Sequence, residues 1–467
     1  MLFDPVRPPN LAHATGQADE PGDLRYDLRD AAAKVLRAND HGAITIAAPQ
    51  LYPHQWSWDA AFISIGLAHL SVPRACQELK SLLAAQWRTG MIPHIVFAED
   101  EAPYFPGPDW WRAHELAAAA PEGARTSGIC QPPAHAIGLA RILEIARSRG
   151  GAEQQSAEEF LVEAWPALYA WHRWLVDSRR DPQSGLIAIV HSWESGLDNS
   201  PRWDEPYRAV RVGPLPPYRR QDIGVVEDES QRPGQREYDL YLWLVEELKH
   251  AQYDDAEIAR SGSFRVGDVF MSAILATACD VLADLAADTS AVVAGAGVDG
   301  HRPPSPAQVA DLRRWAAELR DAVAGSVAAP AGPPEASAGL PGAGLARDFD
   351  VRAGRWLSSD TIAGFAPLLC GGLPAGAERT MLEAFDGTDW CAHPDLTVDA
   401  PPSTSLNSVS LDRRRYWRGP LWPVMLWLYE WALRRRGLTT YADRMQSAGV
   451  QLVADGRFAE YYEPVTG

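Results

Sequence analysis

Lysine is almost missing from this chain of 467 residues: Lys34, Lys80 and Lys249 are the only three, and bases of both kinds number 43 against 61 acids. The formal net charge is −18, and no run of bases exceeds three, as in Arg434-Arg435-Arg436, where arginines ending a helix complement its dipole. A partner such as nucleic acid or an anionic membrane calls for clustered Lys and Arg, so neither is expected. Cysteine is sparse too. Cys76, Cys130, Cys279, Cys370 and Cys391 are odd in number and scattered, with no C-x-x-C and no Cys/His pair at ligand spacing. They read as reduced thiols in a cytoplasmic protein, with no zinc motif and no disulfide framework. No segment holds 18 consecutive apolar residues, and MLFDPVRPPNLAHATG lacks a basic stretch followed by an apolar one. No membrane span and no standard export signal are therefore expected. G-x-S-x-G, a P-loop, H-E-x-x-H and a G-x-G-x-x-G after a strand are all missing. Serine-hydrolase, nucleotide-binding and zincin chemistry are left without support.

Tryptophan, in contrast, is plentiful at 18 residues. Its flat faces stack on sugar rings, and they also fill large cores. Helical periodicity dominates the chain and comes in two kinds. Stretches 21–38, 73–88, 156–177, 305–325, 374–386 and 439–455 are amphipathic. Stretches 57–70, 132–149, 267–286, 358–370 and 420–433 are apolar nearly all round and too short to span a bilayer, so they read as buried helices. The two kinds alternate, which predicts an outer ring of helices around an inner one, an all-α toroid. Six outer helices stand against five inner ones, and the chain ends at Gly467 where a sixth inner helix would follow. A helix at 235–251 breaks the alternation and belongs to an excursion over roughly 185–260, while 288–304 and 326–346, rich in Gly, Ala and Pro, read as loops. With no repeat and no linker, 1–467 reads as a single domain.

Four clusters precede or follow the apolar helices. In Leu51-Tyr-Pro-His-Gln-Trp-Ser-Trp-Asp59, Trp56 and Trp58 offer stacking faces and Asp59 an acceptor for sugar hydroxyls, or Asp59 only favours the dipole of the helix it opens. In His191-Ser-Trp-Glu-Ser-Gly-Leu-Asp-Asn-Ser-Pro-Arg-Trp203, a carboxyl at Glu194 or Asp198 beside tryptophans would be desolvated and raised in pKa, as a general acid requires; an Asx-turn is the plain alternative. Tyr416-Trp-Arg-Gly-Pro-Leu-Trp-Pro423 is an aromatic strip of the kind that packs cores or lines a pocket. Phe458-Ala-Glu-Tyr-Tyr-Glu-Pro-Val-Thr-Gly467 presents Glu460 and Glu463, solvent-facing carboxylates unless they face a partner across one funnel, as glycoside cleavage demands.

These segments, with GMIPHIVF and ICQPP, resemble those of glycoside hydrolase family 63 and its trehalase relatives, in particular the short bacterial branch acting on mannosylglycerate and glucosylglycerate. The resemblance runs from about residue 25 to the end. It implies an (α/α)6 barrel, here with the last inner helix missing, and an inverting mechanism without metal or other cofactor. It assigns the general acid to Asp198 and the base to Glu460, with Glu463 the weaker candidate. Tyr52, Trp56, Trp58, Asp59, Gln131, Tyr416, Trp417 and Trp422 would form the sugar subsite. The excursion, with Arg232 and Tyr238, would cover the pocket, and Arg232 suits a glycerate carboxylate, with Arg219, Arg220 and Arg236 as rivals. The expected reaction is hydrolysis of a small α-glycoside of glycerate. A trehalase-like or other α-glucosidase and a toroid that binds sugar without catalysis are the alternatives, and a homo-oligomer stays open. Without a following helix the chain from Phe458 onward is expected to fray.

Overall fold

In the computed structural model of this chain, the described residues are 23–49, 51–98, 104–224, 228–296, 302–327 and 344–467. The two kinds of helix separate by burial. Val72–Ala84 buries Val72, Ala75, Cys76, Leu79 and Leu82, and Thr439–Leu452 buries Ala442, Met445, Ala448 and Leu452, one stripe each at helical spacing. These are outer helices, with Asp23–Ala38, Gly151–Trp174, Pro306–Val327 and Ala375–Phe385. Ser57–Ala68, His135–Arg149, Val269–Ala296 and Pro423–Arg435 are inner helices, and the short buried helix Pro367–Cys370, between the last two, is the fifth inner element. Gly138 lets two inner helices meet: a Cβ there would lie 2.9 Å from the Ala61 carbonyl oxygen of Ser57–Ala68. Val269–Ala296 packs on Gly151–Trp174, His135–Arg149, Pro306–Val327 and Pro367–Cys370. Its stretch Val269–Ala294 is long and apolar enough to cross a membrane, but 89% of its most apolar window is buried among these neighbours.

The architecture is the expected α/α toroid, with small antiparallel sheets attached. Gln55–Trp56, Ile95–Phe97 and Arg125–Thr126 form one, and Ile187–Ile189, Val266–Asp268, Phe349–Asp350 and Arg355–Trp356 the other. Among the described residues five inner elements stand against six outer helices. The first and last inner helices meet edge to face through Phe62 and Trp427, centroids 5.5 Å apart.

Three expectations need correction. Stretch 358–370 is not one helix: it turns through a 3-10 element Ile362–Phe365 into the short helix Pro367–Cys370. Thr361 bridges Thr404, and the Ile362 N–H donates to the Ser403 carbonyl, so the start of the stretch is held as an extended strip. Of the expected loop 288–304, residues to Ala296 continue the long inner helix, because Ala and Val dominate there and Gly first appears at 295. Residues 297–301, and 328–343 of the other expected loop, lie outside the described residues. The C-terminal segment does not fray. Leu421 and Tyr462 exchange backbone hydrogen bonds of 2.8 and 2.9 Å, and the Thr397 N–H donates to the Pro464 carbonyl at 2.9 Å.

The loop carrying Asp198 is fastened by a buried ion cluster. Arg202 donates from Nε to Asp348 Oδ2 at 2.8 Å and from Nη2 to Asp268 Oδ1 and Asp348 Oδ1, each at 2.5 Å. Its guanidinium also lies 4.3 Å over the Trp203 ring. Arg202 and Asp268 have no exposed side-chain surface, so removing the cation strands two carboxylates without water. Arg202→Met is expected to cost about 3–5 kcal/mol, the penalty for breaking one side of a buried pair. Denaturant unfolding checks this, and an unchanged midpoint contradicts it.

Candidate active site

A cavity of about 420 Å³ opens beside the first turns of Ser57–Ala68 and Pro423–Arg435. Tyr52, Trp56, Trp58, Asp59, Gln131, Asp198, Arg232, Tyr238, Tyr416, Trp417, Trp422 and Glu460 all line it, so the candidates scattered along the sequence converge on one space.

Each wall has a local cause. Gln55–Trp56 pairs with Ile95–Phe97, Trp56 opposite Ile95, and then enters the helix Ser57–Ala68. No side chain of the N-cap residue satisfies that helix start. Gln131 does so from another segment, its Oε1 accepting from the Trp58 N–H at 3.2 Å. On the loop after Ser192–Ser195, Gly196 adopts φ +71, and a Cβ there would come within 2.7 Å of the Trp58 ring. Only glycine fits both the left-handed turn and the indole behind it. Asn199 Oδ1 accepts from the Trp417 N–H at 2.9 Å, and Arg418 pairs with Asp204 at 2.7 Å, tying the Asp198 loop to the aromatic strip. Within that strip Trp417 and Trp422 stack at 3.6 Å, nearly parallel. Arg232 reaches in from the excursion, donating to the Tyr52 hydroxyl at 3.3 Å, lying 4.7 Å over the Tyr416 ring, and pairing with Asp222 at 3.5 Å.

Asp59, Asp198 and Glu460 share this space with the Arg232 guanidinium, and Asp222, paired with Arg232, lines it too. Burial, opposed by Arg232 and reinforced by the charges of Glu460 and Asp59, pushes the Asp198 carboxyl up to about 8. Burial and then the charge of Glu460 push Asp59 up to about 7. Glu460 is also raised by burial of its carboxyl, although the residue keeps an exposed flank, and Arg232 and the Tyr416 hydroxyl oppose that rise. Tyr416 donates to Glu460 Oε1 at 3.0 Å. The arrangement holds one carboxyl protonated at neutral pH and gives another a hydrogen bond and a cation that favour its ionised form, the division of labour acid–base catalysis uses.

Other candidates lie elsewhere. Glu194 is fully buried, accepting from Arg179 at 3.0 Å and from the Val190 N–H at 2.7 Å, and it braces the loop from behind. Glu463 pairs with Arg413 at 3.2 Å and accepts from the Val465 N–H, away from the cavity. Of the rival arginines, Arg220 is taken up by Asp222 and the Pro233 carbonyl, and neither Arg219 nor Arg236 lines the cavity. Sequence reasoning missed His94, Tyr104 and Tyr241 in the lining. His94 is held neutral by burial, which lowers it to about 3, and its ring stacks on Trp193. It precedes a strand of three residues, too short to show alternation, and nothing in the spacing marks Tyr104 or Tyr241.

A family model described as the mannosylglycerate hydrolase MGH1-like glycoside hydrolase domain matches residues 52–467. Glucosylglycerate hydrolase of Mycolicibacterium hassiacum is 50% identical over 448 residues, covering 96% of this chain and 95% of that protein. Mannosylglycerate hydrolase MGH1 of Selaginella moellendorffii is 36% identical over 445 residues, covering 95% of this chain and 82% of that one. Among solved structures, the GH63 mannosylglycerate hydrolase from Thermus thermophilus in complex with Tris and D-glycerate superposes with a TM-score of 0.78 at 34% identity, covering 94% of this chain and 95% of that one. With these likenesses spanning nearly its whole length, the chain belongs to the MGH1-like family of glycoside hydrolases, the family its motifs resemble.

Proposed function

We propose that this glycoside hydrolase cleaves a small α-glycoside of glycerate, glucosylglycerate first and mannosylglycerate second, with inversion at the anomeric carbon. Asp198 donates its proton to the glycosidic oxygen as the bond to the sugar breaks, so glycerate leaves with a neutral hydroxyl. Glu460 takes a proton from water as that water attacks the anomeric carbon from the opposite face. Trp56, Trp58 and Trp422 stack on the sugar, while Asp59 and Gln131 accept and donate to its hydroxyls. Arg232 holds the glycerate carboxylate through its planar fork. The observation that carries the reading is the charge arrangement: Asp198, raised to about 8, lines the same cavity as Glu460 and the Arg232 guanidinium. The names of the relatives at 50% and 36% identity support the substrate class. The excursion 185–260 supplies Asp222, Arg232, Tyr238 and Tyr241 to the cavity and serves as its cover within a single catalytic domain. All five cysteines are free and buried, which supports a reducing compartment, the cytoplasm.

Proton NMR during hydrolysis of glucosylglycerate is expected to show β-glucose appearing first, and α-glucose first would contradict inversion. A neutral glucosylglycerol should react at least about tenfold more slowly, since the charge-assisted bond to Arg232 is lost. Arg232→Ala should erase that preference, and a retained preference would move the carboxylate site elsewhere. Asp198→Asn is expected to abolish turnover of the natural substrate while preserving binding, as judged by calorimetry. For the wild type, kcat/KM should fall as pH rises through about 8, where Asp198 loses its proton. A rate still at its plateau well above that pH would remove Asp198 from the role.

A further inference from the structure

We propose that Tyr52 and Tyr416 form a one-way hydroxyl relay from Arg232 to Glu460, and that both are positioning residues for the carboxylate that activates water. The proposal rests on the assignment of Glu460 as general base made above.

The geometry supplies a continuous chain. Arg232 Nη1 lies 3.3 Å from the Tyr52 hydroxyl, that hydroxyl lies 3.0 Å from the Tyr416 hydroxyl, and the Tyr416 hydroxyl lies 3.0 Å from Glu460 Oε1. Donor capacity fixes its direction. A guanidinium can only donate, so the Tyr52 oxygen accepts; an ionised carboxylate can only accept, so Tyr416 donates to Glu460. Each phenol has one proton, and the proton of Tyr52 is therefore left for the Tyr416 oxygen. All donors in the chain aim toward Glu460, the arrangement in which successive hydrogen bonds polarise one another. The phenols stay protonated throughout the working range, because burial raises both.

The backbone is bent to serve this aim. Tyr416 has φ +36, a conformation that L-residues other than glycine rarely adopt. It is held there by the Trp417 N–H on Asn199 Oδ1 and by Trp422 Nε1 donating to the Tyr416 carbonyl at 3.3 Å. Strain of this kind persists where surrounding bonds over-determine a side chain's direction.

The groups facing Glu460 come from several elements. Asp59 of the helix Ser57–Ala68 and Asp198 of the acid loop repel a charge on it. Arg232 of the excursion and Tyr416 of the aromatic strip favour that charge, and Tyr461 of its own segment stands beside it. Cutting the relay leaves the two repelling carboxyls in place and removes support for the ionised base. The acid limb of the pH profile must then move upward.

The test is the pH dependence of kcat/KM for wild type, Tyr416→Phe, Tyr52→Phe and Glu460→Gln on glucosylglycerate, or on whichever α-glucoside the wild type cleaves. Relative to its own optimum, Tyr416→Phe is expected to lose about tenfold in rate at the acid end of the profile. Tyr52→Phe, which does not touch Glu460, should shift the same limb in the same direction by less. The alkaline limb should stay in place for both. Tyrosines that merely contact substrate would raise KM with an unmoved acid limb, and that result overturns the relay. If Tyr416→Phe fails to fold, as judged by circular dichroism, Tyr52→Phe alone decides the matter. Glu460→Gln separates the two readings: near wild-type activity there would refute the base assignment itself, whereas an inactive Glu460→Gln with an unmoved limb in Tyr52→Phe refutes only the relay.

Discussion

Burial of carboxyl groups in a confined space, reinforced by repulsion among them, governs this site. Asp59, Asp198 and Glu460 line one cavity with the Arg232 guanidinium, itself paired with Asp222, and full ionisation of all of them would leave negative charge in excess in a poorly hydrated space. The protein resolves the conflict unevenly. Among the described residues no side chain donates a hydrogen bond to Asp198, which stays protonated to about pH 8, while Glu460 receives the Tyr416 hydroxyl and the field of Arg232. The proposed acid and base thus differ in their surroundings rather than in their chemical type.

That uneven resolution needs rigid walls, and the helical rings supply them. Asp198 sits on a loop pinned at several points: Gly196 against Trp58, Asn199 against the Trp417 backbone, Arg202 in its buried cluster, and Glu194 against Arg179. These contacts reach into the inner helices, the second small sheet and the aromatic strip. A displacement of any of them would alter the distance between the carboxyls and with it their mutual repulsion, which falls off with separation. The buried ion cluster at Arg202 is better understood as a fixture for this loop than as a source of net stability, since desolvation offsets most of what such pairs gain.

Much of this is legible in the sequence, for physical reasons. Helices apolar all round must be buried, and their alternation with amphipathic ones implies the two rings. The motif clusters are legible because several segments in order share one family's pattern, although each alone also reads as core packing or a solvent-facing loop. What stays hidden depends on distant partners. Stretch 358–370 has helical composition, yet its first residues are captured by Ser403 and Thr404 into an extended strip. Arg232 lines the cavity whereas Arg220, bonded to Asp222 and the Pro233 carbonyl, does not, and no spacing rule shows that. The C-terminal segment reads as a loose end, but pairing between Leu421 and Tyr462 fixes it only two residues beyond Glu460. Two-residue strands carry too little pattern to be read in advance.

The proposed division between acid and base depends on the protonation state of Asp198 in the folded protein. Infrared difference spectroscopy between the wild type and Asp198→Asn reads it directly, through the carbonyl band of a protonated carboxyl. Beyond the contribution of Asp59, common to both proteins, the wild type should show an additional band at about pH 6.5 that disappears as pH rises through about 8. A band lost already at about pH 4, the ordinary aspartate range, would mean that the cavity does not hold Asp198 protonated and would remove it as the proton donor.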